Sequence, residues 1–97
     1  MIKELTYDDT THTNQNKIIS LLNEHNLTWL IDSEVNNAII EIKNDTLIWY
    51  DGEFLFGDWY YGIFKKGTFY GNWKNGIFEG GVFKGSWESG INMIKNK

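Results

Sequence analysis

Cysteine is absent from this 97-residue chain, which removes disulfides, thiolate metal sites and cysteine nucleophiles together and leaves no indication of redox compartment. Arginine is absent as well. All nine basic residues are lysines, so no guanidinium fork is available for bidentate recognition of phosphate, carboxylate or guanine, and sequence-specific DNA reading is disfavoured. Long apolar runs are missing too: stretches such as 47–50 fall far below the ~20 residues that cross a bilayer as a helix. The first nine residues hold neither a continuous apolar stretch nor a small-residue cleavage site, so no signal peptide is expected there and the default location is cytoplasmic.

What is present fits one small folded domain. A hydrophobic fraction of 41%, an aromatic fraction of 16% and a net charge of -4 suit a globular chain rather than a disordered one. Chains of this size bury only roughly 65% of their unfolded surface, which argues against a second domain. Within residues 1–97 the expected parts are a helix-and-strand cap over 1–51, a Gly/aromatic repeat sheet over 52–91 and a tail over 92–97.

Those parts differ in chemistry. None of the ten glycines lies before Gly52, and fourteen of the sixteen aromatic residues lie between Trp49 and Trp87. Residues 1–61 carry three lysines against eleven acids, a net of -8, whereas 62–97 carry six lysines against two acids, a net of +4. In the first half, Ile18, Leu21, Leu22 and His25 follow the i, i+3, i+4, i+7 spacing of one helical face. Thr13 or Asn14 can cap that helix at its start and Asn26 can end it, which predicts a helix over 14–25. Residues 27–32, 38–43 and 46–50 read as antiparallel strands, with Asn44-Asp45 and Asp51-Gly52 as tight hairpin breaks. The expected fold class is therefore α+β, mainly β: one N-terminal helix followed by an antiparallel β-meander that ends in the repeat sheet.

Trp59, Trp73 and Trp87 are spaced fourteen residues apart, and their surroundings share the pattern apolar-x-Gly-x-Trp-x-x-Gly, led by Leu55, Phe69 and Phe83. Within it Gly-x-aromatic recurs every five residues from Gly52 to Phe69, then slips by one residue at Gly71 and again at Gly85. Positions i and i+2 of a strand share a face, so a ring on one strand could lie over the missing side chain of a neighbour. Asn75-Gly76 adds a strong turn signal. These units resemble the Tyr-x-Gly-x-Trp-x-x-Gly core of MORN (membrane occupation and recognition nexus) repeats over about 55–91, with Phe or Leu in place of the leading Tyr. That resemblance implies a β-hairpin per repeat in a twisted single sheet, and a role in protein association or attachment to acidic lipids. The five-residue subperiod also resembles pentapeptide-repeat proteins, which implies a four-sided β-helix; the two slips, the bulk of tryptophan and the basic charge count against it.

Nothing in the sequence assembles a catalytic site, and no enzyme, cofactor or metal is expected. His12 and His25 lack the spacing of a zinc site and read as surface or core-edge residues. Asp51, Glu53 and Asp58 could pair for acid/base work, but solvated turns and strand edges explain them equally. The most site-like feature is the face opposite the rings, where Tyr60, Lys65, Tyr70, Lys74 and Lys84 combine basic charge with aromatic side chains. A solvated strand face whose lysines block edge-to-edge aggregation is the other reading. Two functions are compatible with these features. One is a non-enzymatic module that binds another protein or a second copy of itself. The other is a binder of polyanions, single-stranded nucleic acid or acidic lipid headgroups, through the lysine/tyrosine face. Lysine without arginine, with abundant Asn and Ile, suggests an A/T-rich coding genome such as a Firmicute's or its phage's, and a small phage- or bacterium-encoded inhibitor or adaptor fits by analogy.

Overall fold

The computed structural model describes residues 1–94, so the last three residues of the expected tail lie outside the described residues. The chain is mainly β with two helices, and its sheets mix parallel and antiparallel pairs. Strand β1 (Ile2–Tyr7) turns at Asp8 and Asp9, both at positive φ, and returns as β2 (Thr10–His12). Helix α1 (Gln15–Glu24) follows, capped by the Asn14 side chain, which accepts from the backbone N–H of Asn16 and Lys17, and left by Asn26 at φ 60. Its Ile18 and Leu22 are buried, and His25 sets its ring edge-on to Tyr7 at 4.6 Å.

Residues 27–32 form no strand. They contain a single helical turn, α2 (Thr28–Ile31). Leu27 and Leu30 are both buried, and two residues three apart share a face in a helix but point oppositely in a strand. Strands β3 (Glu34–Lys43) and β4 (Thr46–Phe56) then make the expected hairpin, with Asn44 and Asp45 at φ 52 and 59 in the turn and Lys43 opposite Thr46. The second break behaves otherwise. Gly52, at φ +113, bends β4 in mid-course without reversing it, and both arms keep pairing with β3, Ile40 beside Trp49 and Val35 beside Phe54. On its other edge β3 receives β1 in parallel, Leu5 beside Ile40, so the first half is a sheet ordered β2-β1-β3-β4 with the helices against it.

From Asp58 onward the strands are two residues long: β5 (Asp58–Trp59), β6 (Ile63–Phe64), β7 (Thr68–Phe69), β8 (Asn72–Trp73), β9 (Ile77–Phe78), β10 (Val82–Phe83), β11 (Ser86–Trp87) and β12 (Ile91–Asn92). The antiparallel meander expected here, with a hairpin per repeat, is replaced by parallel pairing between successive coils. Asp58 lies beside Asn72 and Asn72 beside Ser86; Ile63 lies beside Ile77 and Ile77 beside Ile91. The fourteen-residue period is thus one coil of a three-sided solenoid, and β4 supplies two sides of the first coil through Ile48 beside Ile63 and Glu53 beside Thr68. The physical reason lies in the strand length. A hairpin of two-residue strands closes few hydrogen bonds, whereas a strand inside a coil stack bonds along both edges, as when the Lys74 N–H donates to the Trp59 carbonyl and the Glu88 N–H to that of Trp73. Asn75-Gly76 accordingly turns a corner rather than reversing the chain.

Each side of the coil sends one ring inward. Trp49, Phe64 and Phe78 stack along one side, Phe54, Phe69 and Phe83 along the second, and Trp59, Trp73 and Trp87 along the third. Stacked neighbours have centroids 4.7–5.3 Å apart and planes within 15°, while rings on different sides meet edge to face. The glycines also stack on one another, at the corners. A Cβ on Gly76 would lie 2.7 Å from the Gly62 carbonyl oxygen, and one on Gly71 would lie 2.5 Å from that of Gly57. Glycine therefore admits the backbone of the neighbouring coil at the corners, because in-register coils place like on like, and at Gly71 and Gly76 it also leaves room for a ring, that of Phe54 or Trp59. Three sides make one coil, where the pentapeptide resemblance implies four. The slips do not break the coil: they shorten one corner, leaving only Tyr70 or Lys84 between ring and glycine where the first coil has Leu55 and Phe56.

Candidate binding surfaces

The five residues singled out from the sequence do not form one face. Each follows an inward ring and points outward, and the three sides separate them. Tyr60 and Lys74 share one column with Glu88, Tyr70 and Lys84 share another with Leu55, and Lys65 sits alone between Tyr50 and Glu79. A single lysine/tyrosine face requires a flat sheet with a back, and a coil has none.

Within the columns, opposite charges meet one coil apart. Lys65 Nζ lies 3.5 Å from Glu79 Oε1, and Lys74 Nζ donates to Glu88 Oε2 at 2.5 Å. The hydrogen bond to Glu88 raises the Lys74 pKa above its ordinary value, against desolvation, with the charges of Glu88 and Asp58 acting in the same direction as the bond. Tyr50 is held neutral to higher pH in a similar way, chiefly by donating its hydroxyl to Glu41 Oε1 at 2.6 Å. Two of the predicted lysines are thereby occupied in ion pairs, which weakens the case for a shared anion site.

The weighed carboxylates are dispersed as well. Asp51 accepts from the Gly52 N–H, Glu53 from the Asn36 side chain and Asp58 from the Asn72 side chain at 3.0 Å. Among the described residues no group of three His, Cys, Asp or Glu side chains could hold a metal ion, and no helix is long and apolar enough to cross a membrane.

Two surfaces lie apart from the five candidate residues, Tyr60 excepted. The first is the far end of the solenoid. The near end is closed on two sides by β3, which lies along β4, and on the third by Trp29 of α2, whose ring meets Trp59 edge-on at 5.2 Å. At the far end β10, β11 and β12 have no further strand beside them among the described residues. A hollow of about 360 Å3 lies there, lined by Phe78, Phe83, Trp87, Asn92 and Ile94. Val82 and Ile91 stand 49% and 58% exposed beside it. Asn92 takes the place that rings occupy in the coils before it, so the apolar column stops. The second surface is a cleft of about 430 Å3 at the junction of the halves, lined by Trp29, Asp32, Ser33, Phe56, Asp58 and Tyr60 among others. A signal for it was present in the sequence, since Phe56 is the residue by which the first coil exceeds the fourteen-residue period.

No protein family, curated protein or solved structure matches this chain. The functional reading therefore rests on the geometry of these two surfaces.

Proposed function

We propose that the protein is a non-enzymatic module that binds another protein, with the open end of the solenoid as the docking surface. The observation that supports this reading is the asymmetry of the two ends. One end of the aromatic stack is sealed by β3 and Trp29, while the other leaves Phe83 and Trp87 half-buried beside exposed Val82, Ile91, Met93 and Ile94, and no strand among the described residues follows β10 and β11 there. Solenoids need a polar terminal cap to stay solitary, and an apolar coil whose strands β10 and β11 carry no further strand among the described residues offers both a hydrophobic contact and backbone hydrogen bonds to a partner. A small module of this shape can serve as an inhibitor or an adaptor.

Replacing both Val82 and Ile91 by Lys tests the reading, because both side chains are exposed and each substitution alters stability by within about 0.5 kcal/mol. Light scattering and capture from cell lysate should show the wild type associating, with itself or with a partner, and the variant remaining a monomer of unchanged melting temperature. Association that survives the two lysines places the docking surface elsewhere. Association that falls steeply with salt and requires Lys65, Lys74 and Lys84 would support polyanion binding instead.

A further inference from the structure

One residue of the solenoid has no counterpart in the later coils. A single residue separates Phe69 from Gly71 and Phe83 from Gly85, whereas two separate Phe54 from Gly57 in the first coil, and the extra one, Phe56, stands 71% exposed. The aromatic stack does not use it. Phe56 lines the cleft between α2 and the first coil, together with Trp29 and Tyr60, whose rings lie 6.0 Å apart at 69°. Two carboxylates, Asp32 and Asp58, line the same cleft, and no lysine or histidine does. The Asp32 carboxylate makes no hydrogen bond or ion pair among the described residues. Asp58 accepts from Asn72 on Oδ1 and leaves Oδ2 only a distant hydroxyl, that of Tyr60 at 3.5 Å. Lys74, whose charge Asp58 feels, is engaged with Glu88.

Three aromatic side chains and two under-used carboxylates around a cleft with no lysine or histidine in its lining form a receptor for a flat organic cation. We propose that this cleft binds an arginine side chain on an exposed segment of a partner protein. The rings of Trp29, Phe56 and Tyr60 would take the face of the guanidinium, and Asp32 and Asp58 its N–H edge. A guanidinium suits such a site better than an ammonium, because it is planar, sheds its hydration more readily and presents a fork of donors to carboxylates. The -8 net charge of residues 1–61 would steer a basic segment toward it. This inference rests on the reading that the protein acts by binding, but on a surface set apart from the open end of the coils, so each can fail alone.

The test titrates isotope-labelled protein with a blocked peptide of alternating glycine and arginine, and with the matching lysine and citrulline peptides, following backbone amide shifts. Saturable shifts confined to the residues around the cleft, Trp29, Asp32, Phe56, Asp58 and Tyr60 among them, are expected for the arginine peptide. Affinity should fall at least about tenfold with lysine or citrulline, in Phe56→Ala and in the Asp32→Asn/Asp58→Asn pair. Asp8→Asn/Asp9→Asn removes equal charge from the turn after β1 and should weaken binding by less than about twofold, the part that general attraction contributes. Val82→Lys/Ile91→Lys should leave binding intact, which separates this site from the docking end. The proposal is overturned by an absence of saturable binding, by equal loss in the two aspartate pairs, by a Phe56→Ala variant of unchanged melting and unchanged affinity, or by a lysine peptide that binds as well as the arginine one.

Discussion

The two halves of this molecule solve the same packing problem differently. In the first half, a helix, a helical turn and four strands bury a set of unlike aliphatic side chains, Leu5, Ile18, Leu22, Leu30 and Ile40 among them, and every position has its own neighbours. In the coils, like lies on like, ring on ring and glycine on glycine, one coil apart. Strand β4 belongs to both, carrying β3 on one edge and the second coil on the other. Specificity by unique fit thus meets specificity by register, and the two should tolerate damage in different ways.

Deletions give the largest contrast. Removing residues 63–76 excises one coil and lets Ile77 and Phe78 pair with Ile48 and Trp49 as Ile63 and Phe64 do now. That variant should fold with a lower melting temperature and intact near-ultraviolet circular dichroism, since a repeat contributes its own stability and that of its interfaces. Removing fourteen residues from the first half, 28–41, should abolish folding. If both deletions unfold the chain, the coils are not modular.

Within one coil, Trp73→Ala should cost about 3–5 kcal/mol in urea unfolding, as for other large aromatic truncations in a core. Trp73→Phe should cost much less than the difference in ring volume suggests. The indole N–H of Trp73 is buried without a partner, and so are those of Trp49 and Trp59, so phenylalanine removes an unsatisfied donor while keeping a ring in the stack. A Phe variant as damaged as the Ala variant would show that indole volume alone matters.

A corner and its neighbour give the next contrast. Gly71→Val should destabilise by about 1–3 kcal/mol or more, because its Cβ meets both the Gly57 carbonyl and the Phe54 ring. Asn72→Val, at an exposed position, should stay near about 0.5 kcal/mol. Thermal melts compare them, and equal losses would contradict the glycine columns. In the first half, a local device carries a comparable weight: Asn14→Ala should remove about 1 kcal/mol by uncapping α1.

The smallest effect belongs to the columns outside. The folded-state pKa of Lys74 is raised, so its pairing with Glu88 stabilises fully below the ordinary value of 10.5 and is lost as pH rises through the higher folded value. Lys74→Met should leave the melting temperature at pH 7 nearly unchanged, because the pair is exposed to solvent, and should flatten whatever stability loss the wild type shows above pH 10.5. A large loss at pH 7 would mean that outward charge holds the coils together rather than inward rings.

Much of this was legible locally. The α1 face of Ile18, Leu21 and Leu22, its Asn14 cap, and the Asn44-Asp45 hairpin each depend on residues within about two turns of chain, and local chemistry suffices for them. The fourteen-residue period and the inward place of Trp59, Trp73 and Trp87 were legible for a different reason, since repetition prints the register directly into the sequence. The candidate site was far less so. Tyr60, Lys65, Tyr70, Lys74 and Lys84 share a face only on a flat sheet, and the number of outward directions is set by how the coil closes.

The sequence alone determined that the second half repeats, that its rings point to one side of the backbone, and that glycine must recur at fixed distance from them, because side-chain alternation is a property of the strand itself. Whether each glycine reverses the chain or only bends it, and so whether the repeat runs antiparallel as hairpins or parallel as coils, was decided by tertiary structure. Two-residue strands carry too little local preference to choose. The choice falls to the backbone hydrogen bonds and ring stacks that close only when residues fourteen apart come together.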